Sequence, residues 1–105
     1  MITHRAFFGD AEYHFRLTLP TLTELERSTG LGIAAICDRI FQKQFAHADL
    51  TQTIRLALIG GGTAPKRAAE LVAAYATDRP LSEIYPLAFA IAEATWFGKE
   101  DNGQA

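Results

Sequence analysis

With 105 residues, 49% of them hydrophobic and 21% charged, the chain has a globular balance and enough length to build a core without disulfides or metals. A formal net charge of -2 has the wrong sign for a protein whose main work is to neutralise phosphates, and nowhere do about 18 apolar residues run on uninterrupted as a membrane span would need. Cys37 is the single cysteine and Met1 leads into Ile-Thr-His-Arg without the pattern of a secretory leader, so a soluble cytoplasmic protein of one domain is expected.

Residues 3–19 carry a period of two, with Tyr13, Phe15, Leu17 and Leu19 alternating against Glu12, His14, Arg16 and Thr18. That alternation predicts a half-buried strand. Residues 5–8 give a shorter partner strand, and Gly9-Asp10 has the composition of a hairpin turn. A lone hairpin is marginal in water, so this one should lie on the helices that follow. Pro20 reads as the end of the strand, and Thr21 with Glu24 has the spacing of a capping box. The helix so opened turns Leu22, Leu25 and Thr29 inward and closes at Gly30. After Gly32, the spacing of Ile33, Ile36, Cys37, Ile40 and Gln44 predicts a second amphipathic helix, with Asp38, Arg39, Gln42 and Lys43 outside. Cys37 falls on the apolar face with no local His or basic neighbour to activate it, and reads as a small buried hydrophobe.

The stretch around which the rest is organised is residues 50–62, Leu-Thr-Gln-Thr-Ile-Arg-Leu-Ala-Leu-Ile-Gly-Gly-Gly, preceded by a loop at 45–48 and by Asp49 as N-cap. On a helix at about 100° per residue, Leu50, Ile54, Ala57 and Leu58 share one face while Leu56 and Ile59 point the other way. Residues 56–59 are therefore apolar all round and should be almost wholly buried among the other elements. The three glycines stop the helix, supply a left-handed C′ position and, lacking Cβ, let another backbone come close. Thr63 and Pro65 open the next helix, whose inner face is Ala68, Leu71, Val72 and Tyr75, and Asp78-Arg79-Pro80 interrupts it. Residues 81–97 read either as a turn and then a helix from near Ile84 with Pro86 in its first turn, which is the favoured reading, or as one helix kinked at Pro86; Gly98 ends it, and 99–105 is expected to be a disordered tail. The fold class is thus α+β, mostly α: an N-terminal β-hairpin followed by about five helices packed around a central helix, in one domain at 1–98.

No motif in the chain names a reaction. Gly60-Gly61-Gly62-Thr63-Ala64-Pro65-Lys66 suggests a phosphate loop, but it follows a helix where the motif needs a strand, and Pro65 precedes the lysine. The same helix, glycine turn and helix could be a helix-turn-helix of a DNA-binding regulator, with Lys66 and Arg67 at the start of the second helix; beyond that pair the helix offers mostly alanines. His4, His14 and His47 are far apart and read as surface or boundary residues, the carboxylates are scattered, and no nucleophile stands beside a base. No catalytic, cofactor-binding or metal-ligating residue is therefore expected, and no enzyme. The last helix is different: Ile84, Leu87, Ala88 and Ile91 make one apolar stripe, and Tyr85, Phe89, Ala92 and Trp96 make a second. Tyr85, Phe89 and Trp96 are accordingly the candidate partner-binding residues, unless the helix is wedged between the hairpin and the central helix.

Phe8-Gly9-Asp10, Leu17-Thr18-Leu19 leading into Leu22-x-x-Leu25-Glu26, Ile54-Arg55-x-x-Leu58-Ile59-Gly60-Gly61-Gly62 and Arg79-Pro80-Leu81 occur in this order over about residues 7–98. Taken together, the set resembles the small tail-assembly family encoded by bacterial gene transfer agents and related prophages. The resemblance implies no catalytic residues. It implies either a tail tube component or a tail assembly chaperone, the latter binding the tape-measure protein, keeping its apolar helices soluble and recruiting tube subunits. Tube subunits close rings mainly through extended sheets, and one hairpin followed by helices fits the chaperone better. Self-association through the last helix is a further expectation, and neither nucleic acid nor membrane is an expected partner.

Overall fold

The computed structural model describes residues 3–98; the tail expected at 99–105 lies outside the described residues. An antiparallel hairpin, β1 (His4–Phe8) and β2 (Ala11–Phe15), precedes five helices: α1 (Leu19–Thr29), α2 (Ile33–Phe41), α3 (His47–Gly60), α4 (Pro65–Tyr75) and α5 (Leu81–Phe97). This is the α+β, mostly α architecture that the periodicities predict.

The hairpin register pairs His4 with Phe15 and Phe8 with Ala11 across the Gly9-Asp10 turn. Its inner side carries Phe8 and Phe15, buried and in edge-to-face contact at 6.0 Å. The strand ends sooner than the alternation suggests, because the Arg16 amide leaves the hairpin and donates 2.9 Å to the Ala57 carbonyl on α3. Leu17 remains in the core, but Leu19 is 72% exposed as the first residue of α1. Pro20 is therefore inside a helix start and does not close a strand; its missing N–H costs nothing in a first turn, where amides have no intrahelical partner. The cap also lies three residues earlier than Thr21–Glu24: Thr18 is the N-cap, and its amide donates 2.9 Å to Thr21 Oγ1. Glu24 instead pairs with Arg27 one turn on.

Helix α3 is the hub, contacted by α1, α2, α4, α5 and β2. Leu50, Ile54, Leu56, Ala57 and Leu58 are buried, while Ile59 is only half-buried, so the enclosed stretch stops one residue short of expectation. The helix also begins earlier, at His47, with Ala46 as N-cap. Asp49 still satisfies the helix start, but from the third helical position. Its buried carboxylate accepts the Ala46 amide at 2.7 Å and Arg39 Nε at 2.9 Å, which ties the end of α2 to the start of α3. A carboxylate so placed also complements the positive end of the helix dipole.

The three glycines divide their work. Gly62 takes the left-handed position at φ 114°; its amide donates to Ile59 O at 3.0 Å and the Thr63 amide to Leu58 O at 2.9 Å, the paired bonds of a Schellman ending. Gly60 and Gly61 provide room: a Cβ on Gly60 would lie 1.9 Å from the Arg16 carbonyl oxygen, and one on Gly61 2.0 Å from that of His14. The backbone running out of the hairpin thus rests on the bare end of α3.

Two further expectations are corrected. Residues Leu81–Phe97 form one helix, with Pro86 inside it and Pro80 as N-cap; the loss of one early amide costs little beside the burial of Ile84, Ala88, Ile91 and Ala92. His4 is buried, its ring 6.5 Å from that of Phe15, whereas His14 and His47 are exposed.

Leu58→Ala is expected to cost roughly 2–5 kcal/mol in chemical denaturation, the range for a fully enclosed leucine, with a loss below about 1 kcal/mol refuting the central role of α3. Gly60→Ala separates packing from propensity. Helix propensity alone favours alanine by about 1 kcal/mol. The Arg16 carbonyl occupies the space, so the substitution should lower the melting temperature, and a rise would show that the close approach is absent.

Candidate functional site

The outer face of α5 meets α2 and the loop after it in a seam of aromatic rings. Tyr85 stacks on Phe45 at 5.2 Å and 24°, Phe89 stands edge-on to Phe41 at 5.3 Å and to Tyr85 at 5.8 Å, and Phe97 lies 5.9 Å from Phe41. The Tyr85 hydroxyl donates 2.7 Å to the Ile40 carbonyl, satisfying an acceptor at the end of α2, and partial burial raises the pKa of the phenol. Lys43 holds its ammonium 5.7 Å from the centre of the same ring. Its backbone is in the left-handed region at φ 58°, which turns the chain from α2 toward α3.

The three partner-binding candidates therefore sit on one face but not in one environment. Tyr85 and Phe89 are half-buried within the seam, and Trp96 is 53% exposed at its far end. Phe41, Phe45 and Phe97 complete the cluster, and the stripes on the last helix did not reveal them. A signal was present: Phe41 closes α2 and Phe45 follows four residues on in the loop, the same separation as Tyr85 and Phe89 on α5.

Beside Trp96, between α5 and α2, lies an apolar hollow of about 440 Å³ lined by Ala34, Ala35, Cys37, Asp38, Phe41, Trp96 and Phe97. Cys37 is 2% exposed, and burial pushes its thiol from 9.0 up to about 11. It behaves as part of the wall and not as a nucleophile.

The basic pair at the start of α4 faces elsewhere. Arg67 forms ion pairs with Asp10 of the hairpin turn and with Glu70, and the Tyr13 hydroxyl donates 2.7 Å to Asp10. These contacts, Tyr13 first, hold the Asp10 carboxyl below its usual range. With the Tyr75 ring lying over Gly9 and edge-on to Phe8 at 6.2 Å, they clasp the hairpin to α4. Lys66 is exposed. Among the described residues no three His, Cys, Asp or Glu side chains are grouped to hold a metal ion, and no helix is long and apolar enough to cross a membrane.

Against protein families, residues 1–98 match the model described as phage tail tube protein, GTA-gp10. The chain belongs to that family. The match spans the hairpin, all five helices and the aromatic seam, so every described element falls within the family's extent. No curated protein and no solved structure matches the chain. A GTA-gp10 family member works among other tail proteins, so its surfaces for macromolecules bear on its role more than pockets for small molecules do.

With its pKa near 11, Cys37 would be about one part in a thousand thiolate at pH 8, against roughly one in ten for a thiol at 9.0, so native protein should react with a disulfide reagent roughly 100-fold more slowly than denatured protein. The raised value also has a pH signature: the unfolded thiol ionises first, so stability present below pH 9.0 is lost progressively toward about pH 11. Cys37→Ala should flatten that slope. Native and denatured rates that agree would place the thiol in solvent.

Proposed function

We propose that this GTA-gp10 family member is a non-enzymatic tail assembly chaperone, acting in the cytoplasm with residues 1–98 as one working domain, which keeps the tape-measure protein soluble and brings tube subunits to it. The observation that carries the reading is Trp96, left 53% exposed beside an apolar hollow at the end of an aromatic seam. A large indole held in water beside a concave apolar surface favours association, and aromatic side chains dominate binding energy at interface centres. In this reading Tyr85 and Phe89 form the floor of the partner surface, and Trp96 stands beside the hollow as the side chain a partner covers.

A second reading, a structural component of the tail tube, is favoured by the family description itself. Against it stands the sheet content, one two-stranded hairpin, where ring closure calls for extended sheets. A DNA-binding regulator is less well supported, because Arg67 is engaged with Asp10 and Glu70 and Lys66 is left with little basic company.

Co-expression with the tape-measure protein and the tube subunit of the same gene cluster tests the proposal. The chain should move the tape-measure protein into the soluble fraction and be captured with it, while a tube component would instead be recovered in purified tails in ring stoichiometry. Trp96→Asp should weaken capture by about 2 kcal/mol or more with the melting temperature nearly unchanged, since the side chain is 53% exposed in the free chain and is covered only by a partner. Phe89→Ser is the contrast: its ring packs on Phe41 and Tyr85, so it should cost stability as well. An insoluble tape-measure protein in the presence of folded chain would refute the chaperone role.

A further inference from the structure

The hollow at Trp96 is one end of a longer feature. A second hollow, lined by Phe41, Lys43, Tyr85, Pro86, Phe89 and Glu93, shares Phe41 with the first, and a third, reaching Leu81 and Ser82, shares Lys43 and Tyr85 with the second. At about 100° per residue, the α5 positions that line them, from Leu81 to Phe97, all fall within one arc of about 160° on the helix. The hollows thus form a single trough along the length of α5. At about 1.5 Å per residue, the trough is about 24 Å long.

We infer that this trough receives an amphipathic α-helix of about four turns from the partner, bearing an acidic residue and a basic residue about two turns apart; the inference rests on the assembly role proposed above. Two features define the occupant. First, the trough walls are the side-chain surfaces of α2 and α5 with the short loop at Lys43 and Phe45, and helices present no open row of amides and carbonyls. An extended segment laid there would bury its backbone groups without partners, whereas a helix satisfies its own. A helix of about 16 residues matches the length.

Second, the charges along the trough are ordered. Lys43 sits over Tyr85 in one half. Asp38 lines the Trp96 end, and Glu93 lies two turns along α5 from Tyr85, about 12 Å away at helical rise. None of Lys43, Asp38 or Glu93 has an ion-pair partner among the described residues, although Asp38 accepts a hydrogen bond from Gln42. These charges beside an apolar floor are complementary to a carboxylate over the Tyr85 half and a cation over the Glu93 half.

Trp96 is the only tryptophan in the chain, so its emission reports occupancy directly. The experiment titrates the full chain with three synthetic peptides of about 16 residues sharing one apolar face at i, i+3, i+4 and i+7. The first has an acidic and a basic residue eight positions apart, the second has a basic residue at both positions, and the third has a central proline. Titration of the first should shift emission to the blue and saturate; the second and the third should each need at least ten times the concentration. The variant Lys43→Glu, which leaves the trough with negative charge at both ends, should reverse the preference between the first two peptides, and circular dichroism checks that its fold is kept.

Saturation without regard to charge, or equal binding of the proline peptide, overturns the inference. So does a dimer of the chain alone in light scattering that Trp96→Asp dissociates, because the occupant is then a second copy. If the tape-measure protein is captured while no helical peptide shifts Trp96, the chaperone role stands and the trough assignment falls. If the first peptide binds with the stated selectivity while the tape-measure protein stays insoluble, the trough assignment stands and the chaperone role falls.

Discussion

The structure depends on a close approach between two backbones. Gly60 and Gly61 leave the end of α3 bare, the His14 and Arg16 carbonyls lie where side chains would otherwise be, and the Arg16 amide donates to Ala57. A two-stranded hairpin has too little surface to fold alone. Here it is anchored by contact with the most enclosed helix of the protein, and the direction in which the chain leaves β2 fixes where α1 begins. The core follows from that placement: Phe8 and Phe15 enter from the hairpin, Leu17 from the connection, and α1, α2, α4 and α5 close around Leu50, Ile54, Ala57 and Leu58 on α3.

Much of this was legible in the sequence, because the periods of two and 3.6 report directly on which faces meet the core. The hairpin, the five helices and the hub at α3 follow from alternation at Tyr13 and Phe15, from the spacing of Ile33, Ile36, Cys37 and Ile40, and from the all-round apolar run at Leu56, Ala57 and Leu58. The boundaries were harder to read. Proline ends strands and also opens helices, so Pro20 fits both, and only the departure of Arg16 to Ala57 decides between them. Pro86 misled in the opposite direction: a local rule against proline in a helix was outweighed by the tertiary burial of Ile84, Ala88 and Ile91 on the same helix.

The candidate site was legible in part for a related reason. A second apolar stripe on α5 can be seen from Tyr85, Phe89 and Trp96, but what covers it depends on rings brought from another element. Phe41 and Phe45 cover Tyr85 and Phe89 and leave Trp96 at the edge, so one stripe serves both the protein's own packing and its surface. The family match adds an extent, residues 1–98, and singles out no position within it.

The clasp between the hairpin and the later helices sets an order of events during synthesis. The Arg16 amide needs the Ala57 carbonyl, Gly9 lies under Tyr75, and Asp10 pairs with Arg67, 57 residues further on. Contacts of such sequence separation carry a loop-closure cost and cannot form until their later halves have left the ribosome. The strands made first are therefore among the last parts to settle. Until α3 and α4 arrive, Phe8 and Phe15 have no core to enter, and the nascent chain exposes its most β-prone segment for as long as those helices take to be made.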